Sequence, residues 1–316
     1  MTVPHGEQLD LDRIEALYRA HVSPMVFRRA RAVGRPTAIF VGAQPGAGKS
    51  SILTRLRGRF RGNVALISGD DFRQFHPAYT RLRDTDPVAM PNVTQAFSGP
   101  AVERAIREAA ERRVNIIVEG TYRDPATTFR TMQLYADAGY RTELVTVSTS
   151  IYASQIAAQQ RYLDALREGY DARWTPRSAL RRGYEESASI LTAALGVAAC
   201  HRISVVDRDS VELVRVTRDA DGQWPKGADP EEVCREHREL SRPDADQYAE
   251  QIEGIAAGAA AVGVDGPEFQ AVLDELAKVV DMLRDDLVEE SFEGRLESVV
   301  AEVRGTVVHE RDYDAD

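Results

Sequence analysis

Residues 37–50 read Thr37-Ala38-Ile39-Phe40-Val41-Gly42-Ala43-Gln44-Pro45-Gly46-Ala47-Gly48-Lys49-Ser50. A short β-branched run enters a glycine-rich turn, and a helix is expected to open at Lys49 and run to about residue 60. A Walker A match between a strand and a helix carries a physical reading. The backbone N–H groups over Gly42, Ala43, Gln44, Pro45, Gly46, Ala47, Gly48, Lys49, Ser50 and Ser51, all but the proline supplying one, form with the helix N-terminus a nest for the phosphates of ATP. Lys49 supplies a mobile charge to the β and γ oxygens, and the Ser50 hydroxyl is the expected Mg²⁺ ligand. Strict spacing wants glycine at position 43; this chain has Ala43, flanked by Gly42 and followed by Gly46.

Outward from this loop, apolar runs at Val64–Ser68, Asn115–Val118, Glu143–Ser148 and Arg202–Asp207 alternate with helical segments near 100–113, 126–138, 151–168 and 176–195. Five strands separated by helices predict an α/β fold: a five-stranded, mostly parallel sheet flanked by helices on both faces. An amphipathic helix over 10–32, with Leu11, Ile14, Leu17, Tyr18 and His21 at helical spacing, precedes the sheet. After about residue 218 the pattern turns helical, near 229–241, 244–262, 267–288 and 291–304, broken by Pro243 and Gly266-Pro267. The expected organisation is an N-terminal helix (1–34), a nucleotide-binding domain (35–217) and a helical C-terminal extension with an acidic tail (218–316).

The 316 residues carry a net charge of −10 and a pI near 5.3. That balance argues against nucleic acid as the main ligand, which needs a basic face. Two cysteines, Cys200 and Cys234, cannot build a disulfide framework and point to a reducing cytoplasm. Their spacing to His201 and His237 fits no common zinc pattern. No apolar run approaches the length of a membrane span, so no membrane association is expected.

Carboxylates collect where strands end. Asp70 and Asp71 follow Ile67-Ser68-Gly69, and in open α/β sheets the ligand crevice lies off the carboxyl ends of the strands. Either aspartate there is a candidate base for an attacking hydroxyl. The third strand leads into Glu119-Gly120-Thr121-Tyr122-Arg123: Glu119 suits water-mediated Mg²⁺ contact or a substrate hydroxyl, and Thr121 and Arg123 suit an anionic acceptor. Glu103, beside Arg104 and Arg107, reads on its own as a surface ion-pair residue. Arg161, on the long helix after strand four, and Arg173, before the Thr175-Pro176 helix start, could close over the phosphates as a lid.

These pieces together resemble the zeta toxin family, the kinase halves of bacterial toxin–antitoxin pairs. The likeness runs over roughly 35–210 and rests on GAQPGAGKS, ISGDDFRQFHP, IIVEGTYR, AQQRY and ARWTP in order, with a weaker echo, GPEFQAVLDELAKV, from Gly266. It implies the P-loop kinase fold and transfer of the ATP γ-phosphate to the 3′-hydroxyl of UDP-N-acetylglucosamine. It also implies a small helical antitoxin as partner. Position by position it implies Lys49 as the loop lysine and Asp70, rather than Asp71, as the base. Glu103, Glu119, Thr121, Arg123 and Thr131 then line the nucleotide-sugar site, and Arg161 and Arg173 grip the ATP phosphates.

Two departures bear on the acceptor. Asp71 stands where the family more often has an uncharged residue. Tyr122 replaces a small residue, and its ring is expected to stack on a base or narrow the pocket. The alternatives are another small-molecule kinase, similar to the chloramphenicol or sugar phosphotransferases, or an inactive nucleotide-binding module. Residues 281–316 carry twelve acidic against four basic side chains; this reads as a solvated end, with a decoy for a basic cleft as the sharper alternative. The helices before it are expected to pack on the kinase core.

Overall fold

A computed structural model describes residues 9–86, 89–122, 124–169, 174–227, 229–238, 244–264, 266–267, 269–274 and 276. In chain order the helices are α1 (Leu11–Leu17), α2 (Ser23–Phe27), α3 (Lys49–Arg59), α4 (Gly69–Phe72), α5 (Tyr79–Thr85), α6 (Met90–Arg112), α7 (Pro125–Asp137), α8 (Ile151–Arg167), α9 (Arg177–Leu195), α10 (Pro230–Glu236) and α11 (Asp244–Val262). The strands are β1 (Thr37–Gly42), β2 (Ala65–Ser68), β3 (Ile116–Gly120), β4 (Arg141–Val147), β5 (Arg202–Val206) and β6 (Glu212–Thr217).

All five expected strands form and pair in parallel, in the order β2-β3-β1-β4-β5. A sixth strand adds to the count: β6 pairs antiparallel with β5 at the sheet edge. It is an amphipathic edge strand, so it lacks the continuous apolar run that marks the buried parallel strands; its two-residue alternation, Val214 and Val216, is the weaker signal. Alternate residues of β1 enter opposite cores. Ala38 and Phe40 pack with α6, α7 and α9 residues such as Phe97, Tyr135 and Leu191, while Ile39 and Val41 pack with Ile52 and Leu56 of α3.

The N-terminal helix is shorter than 10–32 and is interrupted by a π segment, Tyr18–Val22. Pro24 has no N–H to return to Ala20, and Ser23 N–H bonds Tyr18 O across the wider turn. Its inner face is Ile14, Tyr18, Val22 and Val26, whereas Leu11 is exposed. The Tyr18 and Ser23 hydroxyls both donate to Glu108 of α6, at 2.7 Å. α6 itself begins at Met90, ten residues before the position that Gly99-Pro100 suggests. Burial of Met90, Thr94, Phe97 and Ala101 along one face outweighs the hydrogen bond that Pro100 cannot make.

The chain divides into two compact units, residues 1–149 with 181–238, and residues 150–180 with 239–316. This differs from a single break near 218–230: the first unit holds the sheet and α10, and α8 belongs to the second. There α8 and α11 pack together through Ile156, Leu163, Ile252, Ile255 and Ala259, and Trp174 lies between Tyr162 and Phe269. The expected helices beyond residue 276 and the acidic tail lie outside the described residues. No helix among the described residues is long and apolar enough to cross a membrane.

Candidate active site

Parallel register brings the strand ends level. Val41 pairs with Glu119 and Gly42 with Gly120, while Ser68 pairs with Glu119 on the other side. The loop after β1, the carboxylate ending β3 and the turn after β2 therefore leave one edge of the sheet together.

The glycine-rich loop after β1 is built as its sequence requires. Gly46 and Gly48 have φ of 79° and 93°, a region in which a Cβ costs about 1–2 kcal/mol. Ala43 does not take a positive φ, and it is wholly buried with Ile39, Val41 and Ala47. The departure from strict spacing is thus absorbed by the core. Lys49 Nζ bridges the carbonyls of Ala43 and Gln44 at 3.0 Å each, which holds its charge at the mouth of the loop. Ser50 and Ser51 stand exposed on the first turn of α3.

Asp70 and Asp71 lie on the first turn of the short helix α4, one step beyond the strand end that the sequence suggested. Both are exposed. Arg73, to which sequence reasoning gave no role, donates from Nε to Asp70 at 2.9 Å. It also bonds Thr94 Oγ and Gln95 Oε1 of α6, at 3.1 Å each. The spacing of three between an acid and an arginine on a helix was the available signal.

Glu119 is half-buried. Burial pushes its carboxyl above the usual range; Lys49 and a hydrogen bond from Ser68 pull it down, and the charges of Asp71 and Asp70 push it up again. The charges of Lys49, Asp70 and Asp71 thus all bear on Glu119 at this edge.

The remaining expected residues are distributed as follows. Thr121 follows β3 directly and is half-buried. Thr131, on α7, bonds its hydroxyl to Thr127 O at 2.9 Å. Glu103 is exposed on α6 and pairs with Arg107 at 3.1 Å, as its own sequence context suggested. Arg161 is exposed on α8, in the second unit. Arg123 and Arg173 lie outside the described residues.

Tyr122 is a correction. Its φ is 57°, and this turn sends the ring into the core beneath β1 rather than toward an acceptor. The hydroxyl lies 2.8 Å from Phe40 O and 2.9 Å from Val145 O.

The rear of the loop is also fixed. Gln44, wholly buried, donates from Nε2 to Thr149 O at 2.9 Å, and Thr149 Oγ donates to Ala47 O at 3.0 Å. Gly183 of α9 comes so close that a Cβ there would lie 3.1 Å from Gln44 Cα.

The zeta toxin family profile matches residues 26–218, well over half of the chain. The chain belongs to the zeta toxin family.

Among curated relatives of this family member, Toxin PezT of Streptococcus pneumoniae serotype 4 is 34% identical over 128 residues, covering 40% of this chain and 51% of PezT. Toxin zeta of Enterococcus hirae is 28% identical over 150 residues, covering 47% of this chain and 52% of the relative. The chain thus spans about half the length of the curated relatives it matches. Among solved structures, one of the PezAT chromosomal toxin–antitoxin system of Streptococcus pneumoniae superposes with a TM-score of 0.65 at 20% identity, covering 81% of this chain and 98% of that one. The AvrRxo1-ORF1:-ORF2 complex with ATP gives 0.52 at 13% identity, covering 83% and 86%. At these identities the likeness establishes the fold.

Proposed function

We propose that this zeta toxin family member is an ATP-dependent phosphotransferase that moves the γ-phosphate to the 3′-hydroxyl of UDP-N-acetylglucosamine or a similar nucleotide sugar. It would act as a cytoplasmic toxin, held in check by a separate small helical antitoxin. The observation that carries this reading is the shared sheet edge: a glycine-rich loop with Lys49 at its mouth, level with Glu119, and Asp70 on the helix that follows the neighbouring β2.

On this reading the loop amides and Lys49 bind and orient the donor phosphates. The oxygen donors available there, the Ser50 hydroxyl and Glu119, suit a hard cation, so Ser50 would hold Mg²⁺ and Glu119 would reach it through water. Mg²⁺, when bound, draws charge from the transferring phosphoryl group. Asp70, held by Arg73, accepts the proton of the attacking hydroxyl, a role worth about 10²–10⁴ in rate. Glu103, Glu119, Thr121, Arg123 and Thr131 hold the acceptor. A diphosphate gives Arg123 a charge-assisted partner that a free sugar lacks. Arg161 and Arg173 stabilise the donor phosphates.

The test is an acceptor panel with γ-labelled ATP and mass spectrometry of products. UDP-N-acetylglucosamine should be phosphorylated, with free N-acetylglucosamine and chloramphenicol poor acceptors. Equal use of either would overturn the acceptor assignment while leaving phosphotransfer intact.

A further inference from the structure

The loop's rear fastening leads to a buried arginine. Arg238, just after α10, is 4% exposed, and among the described residues it makes no ion pair. Its Nη1 donates to Tyr184 O at 2.6 Å and its Nη2 to Ser187 Oγ at 2.8 Å. The guanidinium lies 4.3 Å from the centre of the Tyr184 ring, and among the described residues Nε has no hydrogen-bond partner. Ser187 Oγ in turn lies 3.3 Å from Gln44 Oε1 and can donate to it. Gln44 continues to Thr149, and Thr149 to Ala47. A continuous buried chain thus runs from Arg238 to two residues of the phosphate loop.

Two physical points give this chain a consequence. Taking a guanidinium out of water costs several kcal/mol, even where dipoles and a ring face it. A polyanion in the neighbouring loop would offset that cost. A hydrogen-bond chain in a dry interior also transmits position, because each buried member has few other partners. Ser187 has a competing acceptor, Tyr184 O at 3.1 Å. Nη1 of Arg238 shares that carbonyl, and Gln44 Oε1 is the second acceptor within reach of the serine hydroxyl.

We propose that Arg238 is a positioning residue for the donor nucleotide: through Ser187 it sets the place of Gln44, and with it the width of the phosphate loop. The inference rests on the ATP reading given above.

The test uses the full chain and separates binding from turnover. Equilibrium binding of ATP with Mg²⁺ is measured for wild type, Arg238→Met, Arg238→Lys and Ser187→Ala, together with KM for ATP and for UDP-N-acetylglucosamine. Arg238→Met should weaken ATP binding by on the order of tenfold, from loss of the charge-assisted hydrogen bond that holds Ser187, with acceptor KM unchanged. Arg238→Lys should recover part of the affinity, and Ser187→Ala should shift ATP affinity the same way by less. If Arg238→Met does not fold, Ser187→Ala carries the test, since it cuts the chain and leaves the cation in place. Wild-type ATP affinity in a folded variant, or equal shifts in both KM values, would overturn the proposal. Failure of the wild type to bind ATP would instead sink the nucleotide reading.

Discussion

The Tyr122 ring fills the space that a side chain at Gly42 would need: a Cβ built on Gly42 would lie 2.4 Å from Tyr122 Cδ2 and Cε2. The last residue of β1 is therefore glycine because an aromatic ring from the loop after β3 lies against it. The phosphate loop starts from that contact.

Tyr122→Ala should destabilise the protein by about 3–5 kcal/mol, as for other buried aromatic truncations, and Tyr122→Phe by about 1 kcal/mol for the lost hydroxyl. Gly42→Ala should be destabilising in the wild type and much less so with Tyr122→Ala. Urea denaturation of the four variants checks this; additive effects would show that the two positions do not couple.

Glu119 gives a pH signature. Its folded carboxyl titrates above the unfolded range, so it binds its proton more tightly when folded, and stability falls as pH rises through that folded value. Glu119→Gln should melt higher than wild type at neutral pH, with the gap closing in acid, while phosphotransfer drops. Melting curves across pH decide it: a variant less stable than wild type at neutral pH contradicts the sign.

Glu143 has the opposite sign. It is 2% exposed and bonds Arg59 Nη2 at 2.8 Å and Arg202 Nη1 at 3.3 Å. Burial pushes its carboxyl up, but Arg59, Arg202 and Arg141 more than offset this and hold it below the usual range. Its contribution is present above the unfolded value and fades as pH falls through the folded one. Glu143→Gln should cost about 2–4 kcal/mol at neutral pH, less than a fully dry pair because Arg59 is partly in water. The penalty should shrink in acid, read by denaturant titration at both pH values.

Asp70 and Asp71 are adjacent, and Asp70 is held by Arg73 at 2.9 Å. Expression of the wild type should arrest growth. Asp70→Ala should relieve arrest and Asp71→Ala far less, at matched protein levels. Equal relief, or relief by Asp71→Ala alone, would assign the base to the wrong carboxylate.

How much of this was legible in the sequence differs by element. The five parallel strands and the turn of the glycine-rich loop were, because buried parallel strands are apolar throughout and the loop's glycines are local necessities. β6 was not, since an edge strand carries half the apolar signal. The first turns of α6 were hidden by Gly99-Pro100, whose local cost is overridden by long-range burial. Tyr122 was misjudged because its direction depends on a left-handed φ and on space left by Gly42, 80 residues earlier. Arg73 was signalled only by its spacing of three from Asp70, whereas Gly183 and Arg238 act through partners distant in sequence, which no local pattern announces.

The central claim is phosphoryl transfer through the Lys49 loop. The direct measurement is label transfer from γ-labelled ATP to UDP-N-acetylglucosamine by the wild type and by Lys49→Ala, with circular dichroism confirming that both are folded. The account predicts a labelled nucleotide sugar with the wild type and its loss with the folded variant, because the charge bridging Ala43 and Gln44 is gone. Undiminished transfer by folded Lys49→Ala, or no ATP turnover by the wild type with any acceptor, would contradict it.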